Sequence, residues 1–299
     1  MLNRIMVPVD GSGFAEYGLP PALALVRATG ARLHLVMVHE PALMIERTLM
    51  GSEVLEAQQQ ELEKEYLTAL LERLREDGIA AERSVITGTP ADALANFARR
   101  RDMDLIVMST HGHGGLSRYW IGSVADGLIR RSRVPVLLLR PAEGAAGPGR
   151  SFVRRVLVAV DGSPAAERAL PAAAAICAAM GAACTIMRVV VPPSRAITSR
   201  IPDTARMVRE RTAEESREAE AYLRDLVGAS DLPDSTRAEV VTGYDTTAAI
   251  LRTAETERAD MIAVGTRGHG GAARLLLGSV ADKLIRASPV PVLVCPSPR

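Results

Sequence analysis

The sequence predicts an α/β protein made of two consecutive doubly wound domains, each with a five-stranded parallel sheet. Three observations carry this. The chain repeats itself at long range. Within each repeat, short apolar segments alternate with helical stretches. Those segments are apolar on both faces, as strands covered by helices on both sides must be. Right-handed crossovers then give a doubly wound sheet, whose ligands sit at the carboxyl ends of the strands where the winding reverses.

The repeat is legible at both ends of each copy. Residues 5–12 read IMVPVDGS and residues 156–163 read VLVAVDGS. Residues 112–137 (GHGGLSRYWIGSVADGLIRRSRVPVL) align without a gap to residues 268–293 (GHGGAARLLLGSVADKLIRASPVPVL), with 18 of 26 positions identical. The offset grows from 151 residues at the first pair to 156 at the second, so the middle of the second copy is longer. Residues 141–150, PAEGAAGPGR, are aperiodic and rich in Gly, Ala and Pro, which reads as a linker. The copies are therefore residues 1–140 and 151–299.

The elements of the first copy follow in order. IMVPV (5–9) is a strand closed by the turn residues Asp10-Gly11-Ser12, and a helical stretch then runs to Thr29. Gly30 ends it, and LHLVMV (33–38) is the second strand. Residues 53–76 form a long charged helix, its apolar positions Val54, Leu62, Tyr66, Ala69, Leu70 and Leu74 at helical spacing. It reads as a solvated face, as does its counterpart near 203–227. ERSVIT (82–87) is the third strand, and Thr87 or Thr89 is placed to cap a helix with Pro90 in its first turn. DLIVMS (104–109) is a fourth, fully buried strand, and a helix near 120–131 precedes the fifth, VPVLLL (134–139).

Composition narrows the function classes. The 299 residues carry a formal net charge of +1, which argues against a broad basic surface for nucleic acid. Aromatics are only 3%, so the cores must be built from Ala, Val, Leu and Ile. No apolar run is long enough to span a membrane, and MLNRIMVPVD does not read as a signal peptide. The three cysteines (Cys177, Cys184 and Cys295) form no CxxC. A disulfide framework or zinc site is not expected, and a reducing, cytoplasmic setting fits. Cys177 falls in an Ala-rich helix and Cys184 in a strand, where both read as core.

The chemistry concentrates in a glycine-rich segment after the fourth strand. In the second copy it runs Gly265, Gly268, then Gly278-Ser279-Val280 at the start of the last helix. Glycines let the backbone approach a ligand closely and adopt positive φ. Consecutive N–H groups in such a loop form an anion-binding nest. A helix N-terminus adds unpaired N–H groups and partial positive charge. The Ser279 hydroxyl can contact phosphate or a phosphate-bound metal. There is no GxxxxGK[ST] and no lysine of that kind to stabilise charge on a leaving phosphate. No nucleophile–base pair repeats between the copies, so the loop reads as a binder and no catalytic residue or resident metal ligand is assigned.

A strand, G-x2-G-x9-G-[ST], a helix and a final VPVLV strand, preceded by V-x-V-D-G-S, resembles the universal stress protein family over nearly the whole chain. The resemblance is to a tandem two-domain member of its ATP-binding branch. It implies an adenine nucleotide alpha hydrolase-like fold with ATP or another adenine nucleotide as cofactor, with or without magnesium. It also implies an intrachain pseudo-dimer in which the last strands of the two domains pair, and homodimerisation is expected beyond that. Neither nucleic acid nor membrane is an expected partner. Residue by residue, Val160, Asp161, Val189, Gly265, Gly268, Gly278, Ser279 and Val280 match the nucleotide site in the second copy. Val9, Asp10, Val38, Gly112, Gly122, Ser123 and Val124 match it in the first. Ser109 stands where the pattern has its first glycine. If that position needs positive φ, serine costs about 1 kcal/mol; if not, its hydroxyl is free to bond the ligand.

Other repeated residues have two readings each. Asp10 and Asp161 are ligand contacts or turn formers. His113 and His269 reach phosphate or a metal, or face solvent, and His111 stands opposite Arg267. Arg118 and Arg274 pair with phosphate or form surface ion pairs. Asp126 and Asp282 cap the helix or pair one helix with another, or hold a metal. His34 and His39 have no counterpart and receive no role. The segments 40–52 and 191–203 follow the second strand of each copy and are candidate lids or partner surfaces.

Overall fold

The computed structural model describes residues 1–40, 52–110, 121–140, 153–193, 204–266 and 277–296. The chain divides into two units, Met1–Phe152 and Val153–Arg299. In the first, the elements are β1 (Arg4–Val9), α1 (Gly13–Glu16), α2 (Leu19–Thr29), β2 (Arg32–His39), α3 (Ser52–Glu76), β3 (Ala81–Thr87), α4 (Pro90–Arg100), β4 (Leu105–Ser109), α5 (Ser123–Arg131) and β5 (Val136–Leu139). The second repeats them as β6 (Arg155–Ala159), α6 (Pro164–Glu167), α7 (Ala169–Met180), β7 (Ala183–Val190), α8 (Thr204–Gly228), β8 (Arg237–Thr242), α9 (Thr246–Thr256), β9 (Met261–Gly265), α10 (Ser279–Ala287) and β10 (Val292–Cys295).

The strands of the first unit lie in the order β3-β2-β1-β4-β5, and those of the second in the matching order β8-β7-β6-β9-β10. The pairs β1–β2, β1–β4, β2–β3 and β4–β5 are parallel, as are β6–β7, β6–β9, β7–β8 and β9–β10. The winding reverses between β1 and β4, and again between β6 and β9. The core follows: every residue of β4, from Leu105 to Ser109, is buried, whereas β3 on the flank is mostly not.

Local chemistry explains most boundaries. Gly30 and Gly181 end α2 and α7 in the left-handed conformation, with φ of 72° and 61°, a geometry that glycine adopts without a Cβ penalty. The single helix expected up to Thr29 is two, broken at Tyr17-Gly18. A Cβ on Gly18 would lie 3.4 Å from the Val107 carbonyl, so the break lets the chain settle on β4. Thr89 takes the N-cap position of α4 with Pro90 following, but its side chain makes no capping bond.

The apolar stripe of α3 differs from the expected one. Leu67, Leu70, Leu71 and Leu74 are buried, while Leu62 is 64% exposed and Ala69 is also exposed. The side chain of Val54 lies outside the described residues. One turn before Leu67, the helix turns Glu63 inward to His39, whose Nδ1 lies 3.1 Å from both Glu63 oxygens. The stripe is therefore polar in its first half.

A repeated aspartate clamps each first strand. Asp104 accepts the N–H groups of Asn3 and Arg4 at 2.7 and 2.9 Å, and Asp260 accepts those of Arg154 and Arg155 at 2.8 and 3.0 Å. Neither aspartate stands out in the sequence, because each acts across about a hundred residues. Among the described helices, none is long and apolar enough to cross a membrane.

Candidate functional site

The site residues converge on the carboxyl ends of the central strands. Val9 closes β1 and is buried, with Asp10 next in the chain. Val9 pairs with Met37, which precedes the half-buried Val38 near the end of β2. Ser109 ends β4, opposite Leu139. Gly122 is the N-cap of α5, with Ser123 exposed and Val124 half-buried behind it. The second unit assembles Val160, Asp161, Val189, Gly265, Gly278, Ser279 and Val280 in the same way, with Gly278 as N-cap of α10. Gly112 and Gly268 lie outside the described residues, as do His111, His113, Arg118, Arg267, His269 and Arg274, and most of the two candidate lid segments.

The aspartate turn is built identically in both units. Asp10 Oδ1 accepts the N–H of Ser12 at 2.9 Å and its hydroxyl at 2.6 Å. Asp161 Oδ1 does the same with Ser163 at 3.0 and 2.6 Å. Each serine oxygen in turn caps the short helix, accepting from Ala15 or Ala166 at 3.1 Å. Gly11 and Gly162 supply the positive φ, 82° and 87°, that lets the side chain fold back on its own turn. One oxygen of each aspartate is thus committed to shaping the turn.

The glycine-rich segment closes on itself. The Gly122 N–H donates to the Thr110 carbonyl at 2.7 Å, and the Gly278 N–H to the Thr266 carbonyl at 2.6 Å. In each unit a long spacer therefore begins and ends at one point beside the strand terminus. Among the described residues, no side chain caps the first turn of α5 or α10, as is also so for α2, α4 and α7, whereas α1, α6 and α9 are capped by Ser12, Ser163 and Asp245. The N-termini of α5 and α10 thus begin at the residue that closes the spacer, and a helix N-terminus is a site that suits an anion.

Among the described residues, the strands of the two sites differ in three places that bear on the pocket. First, Gly265 does not have positive φ. It is glycine because α6 lies against it: a Cβ there would sit 2.4 Å from the Ala165 carbonyl oxygen and 2.8 Å from the Ala166 Cα. At the equivalent Ser109 the side chain is accommodated and buried. Second, Arg188 replaces Met37. Its guanidinium lies 5.4 Å from the centre of the Tyr222 ring, and a Cβ on Gly162 would be 3.2 Å from its Nη1. A cation thus stands beside the second aspartate turn, where the first has the methyl group of Met37. Third, the first unit has His39 where the second has Val190, and His39 is 1% exposed between Glu63 and Glu56.

Supporting pairs recur in both units. Tyr66 donates to Glu16 and Tyr222 to Glu167, each at 2.9 Å. Burial, with the neighbouring carboxylate, raises both phenols above their ordinary range. Asp126 and Asp282 make two-pronged contacts with Arg130 and Arg286 one turn on, at 2.9–3.1 Å. These are ion pairs within one helix, where pairing between helices was expected. Among the described residues, no group of three or more His, Cys, Asp or Glu side chains could hold a metal ion.

Together these features define a tandem α/β protein whose repeated switch point joins an aspartate turn to an uncapped helix N-terminus. The model of the Universal stress protein family matches residues 1–140 and again 153–296, and the chain belongs to that family. A universal stress protein of Mycobacterium tuberculosis is 28% identical over 249 residues, 79% of this chain and 77% of its own length. One of Thermus aquaticus is 34% identical over 142 residues, its whole length and 47% of this chain. The crystal structure of a universal stress protein from Archaeoglobus fulgidus shares the fold over 98% of both chains, with a TM-score of 0.71 at 24% identity.

Proposed function

We propose that each unit binds an adenine nucleotide, ATP being the expected one, across the carboxyl ends of its two central strands. In this reading the phosphates rest on the N-terminus of α5 or α10. Gly122, Ser123 and Val124, or Gly278, Ser279 and Val280, hold them together with Gly112 or Gly268 of the spacer. Asp10, Val9 and Val38, or Asp161, Val160 and Val189, flank the adenosine. Ser109 and Gly265 border the phosphate end. The observation that carries the reading is the pair of spacers, each closed by a glycine N–H, leading into helices that no side chain among the described residues caps. A phosphate group fits such a terminus because it supplies the missing acceptors and meets the positive end of the helix dipole. Ser123 and Ser279, both exposed, would donate to phosphate or ligate a magnesium ion carried with it.

The chain then acts as a nucleotide-dependent binding module, expected in the cytoplasm, and not as a dedicated hydrolase. The test is mass spectrometry of the purified protein after denaturation, with thermal unfolding in added ATP. A co-purifying adenine nucleotide or an upward shift of the midpoint is expected. Absence of both would overturn the reading. Sustained phosphate release that disappears in an Asp161→Ala, Gly278→Val variant would instead make the protein an ATPase.

A further inference from the structure

The proposed nucleotide crosses each sheet in a definite direction, and the second unit carries an aromatic residue where that path ends. The phosphates lie beside β9 and α10, and the adenosine beside the ends of β6 and β7. The next strand outward is β8. Its carboxyl end continues through Gly243 to Tyr244 and then to Asp245, the N-cap of α9. Tyr244 is 59% exposed. Tyr66 and Tyr222 differ from it, since each is partly buried and donates to a glutamate. Among the described residues, the hydroxyl and ring of Tyr244 have no hydrogen-bond or ring partner.

The backbone on both sides of Tyr244 is pinned. The Gly243 N–H donates to the Val190 carbonyl at 3.0 Å, which ties the turn to the end of β7. The Asp245 carboxylate accepts the Ala248 N–H at 3.0 Å, which fixes the first turn of α9. Val189, the proposed adenosine contact, pairs with Val241, and Val190 pairs with Thr242. Tyr244 thus stands one strand over from Val189, about 4.8 Å sideways, and three residues further along. Aromatic side chains reach across such a spacing to diagonal neighbours. The exposed Val191 continues β7 beside it. The first unit is built without this residue. There the Gly88 N–H donates to the His39 carbonyl at 3.2 Å, but the N-cap Thr89 follows at once. Glu40 stands where the second unit has Val191. The rim beyond the strands is polar in the first unit and apolar and aromatic in the second. An inserted residue this exposed adds nothing to the core.

We propose that Tyr244 is the base-stacking residue of the second site, a role that rests on the nucleotide reading above. When the site is filled, its ring lies against the open face of the adenine, with Val191 beside it. A phenol ring and a purine are both flat π-systems, and stacking them offset removes apolar area of each from water. The ring has few torsions to fix and stands on a pinned backbone, so little ordering cost opposes the contact. Stacking acts on the face of the base and not on its hydrogen-bonding edge. Tyr244 therefore adds affinity for the base and none for the phosphates. The first site has no such residue at the end of β3.

The experiment is calorimetric titration of the full-length protein with ATP and, separately, with inorganic tripolyphosphate. Two backgrounds isolate the sites: Gly122→Pro removes the amide that closes the first spacer, and Gly278→Pro the amide that closes the second. In Gly122→Pro, adding Tyr244→Thr should weaken ATP binding by about fivefold to tenfold, while Tyr244→Phe should stay within about twofold. Tripolyphosphate binding should not change in either. In Gly278→Pro, Tyr244→Thr should leave ATP binding as it was. A melting curve of each variant confirms the fold, which the exposed position makes safe to alter. ATP bound by the second site with unchanged affinity in Tyr244→Thr would overturn the stacking role and leave the nucleotide reading standing. An equal loss for tripolyphosphate, or an equal loss in Gly278→Pro, would do the same. If ATP binds in neither background with Tyr244 in place, the nucleotide reading falls, and the stacking role with it.

Discussion

The amide of Gly278 donates to the carbonyl of Thr266 at 2.6 Å across a spacer of eleven residues. Its counterpart joins Gly122 to Thr110. This bond brings the two ends of the glycine-rich segment together at the start of α10. Gly278 has φ of −69°, a value proline adopts without strain. Gly278→Pro therefore deletes the donor and sets a ring carbon against the Thr266 carbonyl. We expect a loss of about 1–3 kcal/mol of stability in the second unit. Any ATP-induced thermal shift of that unit should disappear while the first unit keeps its own.

Gly265 and Ser109 test a packing argument directly. A Cβ at residue 265 collides with the backbone of α6, at 2.4 Å from the Ala165 oxygen. Gly265→Ala should cost about 1–3 kcal/mol through overpacking. Ser109→Gly, where no such collision is relieved, should cost less than about 1 kcal/mol. Denaturant unfolding of the two variants distinguishes them.

Asp161 combines a turn role with a proposed ligand role, and two substitutions separate them. Asp161→Asn keeps an oxygen for the Ser163 N–H and hydroxyl and should retain most of the stability. Asp161→Ala loses both bonds and should cost about 1–2 kcal/mol. A loss of nucleotide binding in Asp161→Asn with the fold intact identifies the carboxylate charge as a ligand contact. Calorimetric titration beside a melting curve reads both.

Arg188 gives the second site a cation that the first lacks. Arg188→Met, which copies Met37, should weaken nucleotide binding at the second site by up to about tenfold. The loss should be largest at low ionic strength, where screening is least. Met37→Arg should strengthen the first site in the same sense. Affinities measured in single-site variants across a salt series check this.

His34 predicts an acid sensitivity confined to the first unit. It is buried, its Nε2 lies 3.0 Å from the Ser84 hydroxyl, and its ring packs edge-on to Phe97. Glu82 lies 3.4 Å from Nδ1. Burial lowers its pKa in spite of that carboxylate. The folded state therefore binds the proton less well than the unfolded state. The stability this contributes is present above the ordinary value of about 6.5, and it is lost as the pH falls through the lowered folded value. The second unit has Thr185 at this place. Unfolding of the first unit followed between neutral and mildly acidic pH should show the slope, and His34→Gln should flatten it.

The succession of strands and helices in each unit was legible in the sequence, because period, length and punctuation are local properties. The aspartate turn and the N-cap glycines were legible for the same reason: each does its work within a few residues. What stayed hidden acts through space. The need for glycine at 265 comes from α6, a hundred residues earlier, and not from its own torsion angles. The cation at Arg188 is visible only once Gly162 and Tyr222 stand beside it. The stripe of α3 was misplaced at Leu62 because periodicity gives a spacing but not which face is turned inward. His39 draws Glu63 to that face, and nothing near either residue announces the pairing.

The contact between Gly265 and Ala165 also bears on how the two halves can diverge. Glycine can occupy position 109, but serine cannot occupy position 265 unless α6 first moves away. Exchange of sequence between the repeats is thus permitted in one direction and blocked in the other. Position 265 is held to glycine by its neighbour in space, while position 109 accepts either residue. The two repeats therefore differ at this point in which side chains they can take, although their local sequences read alike.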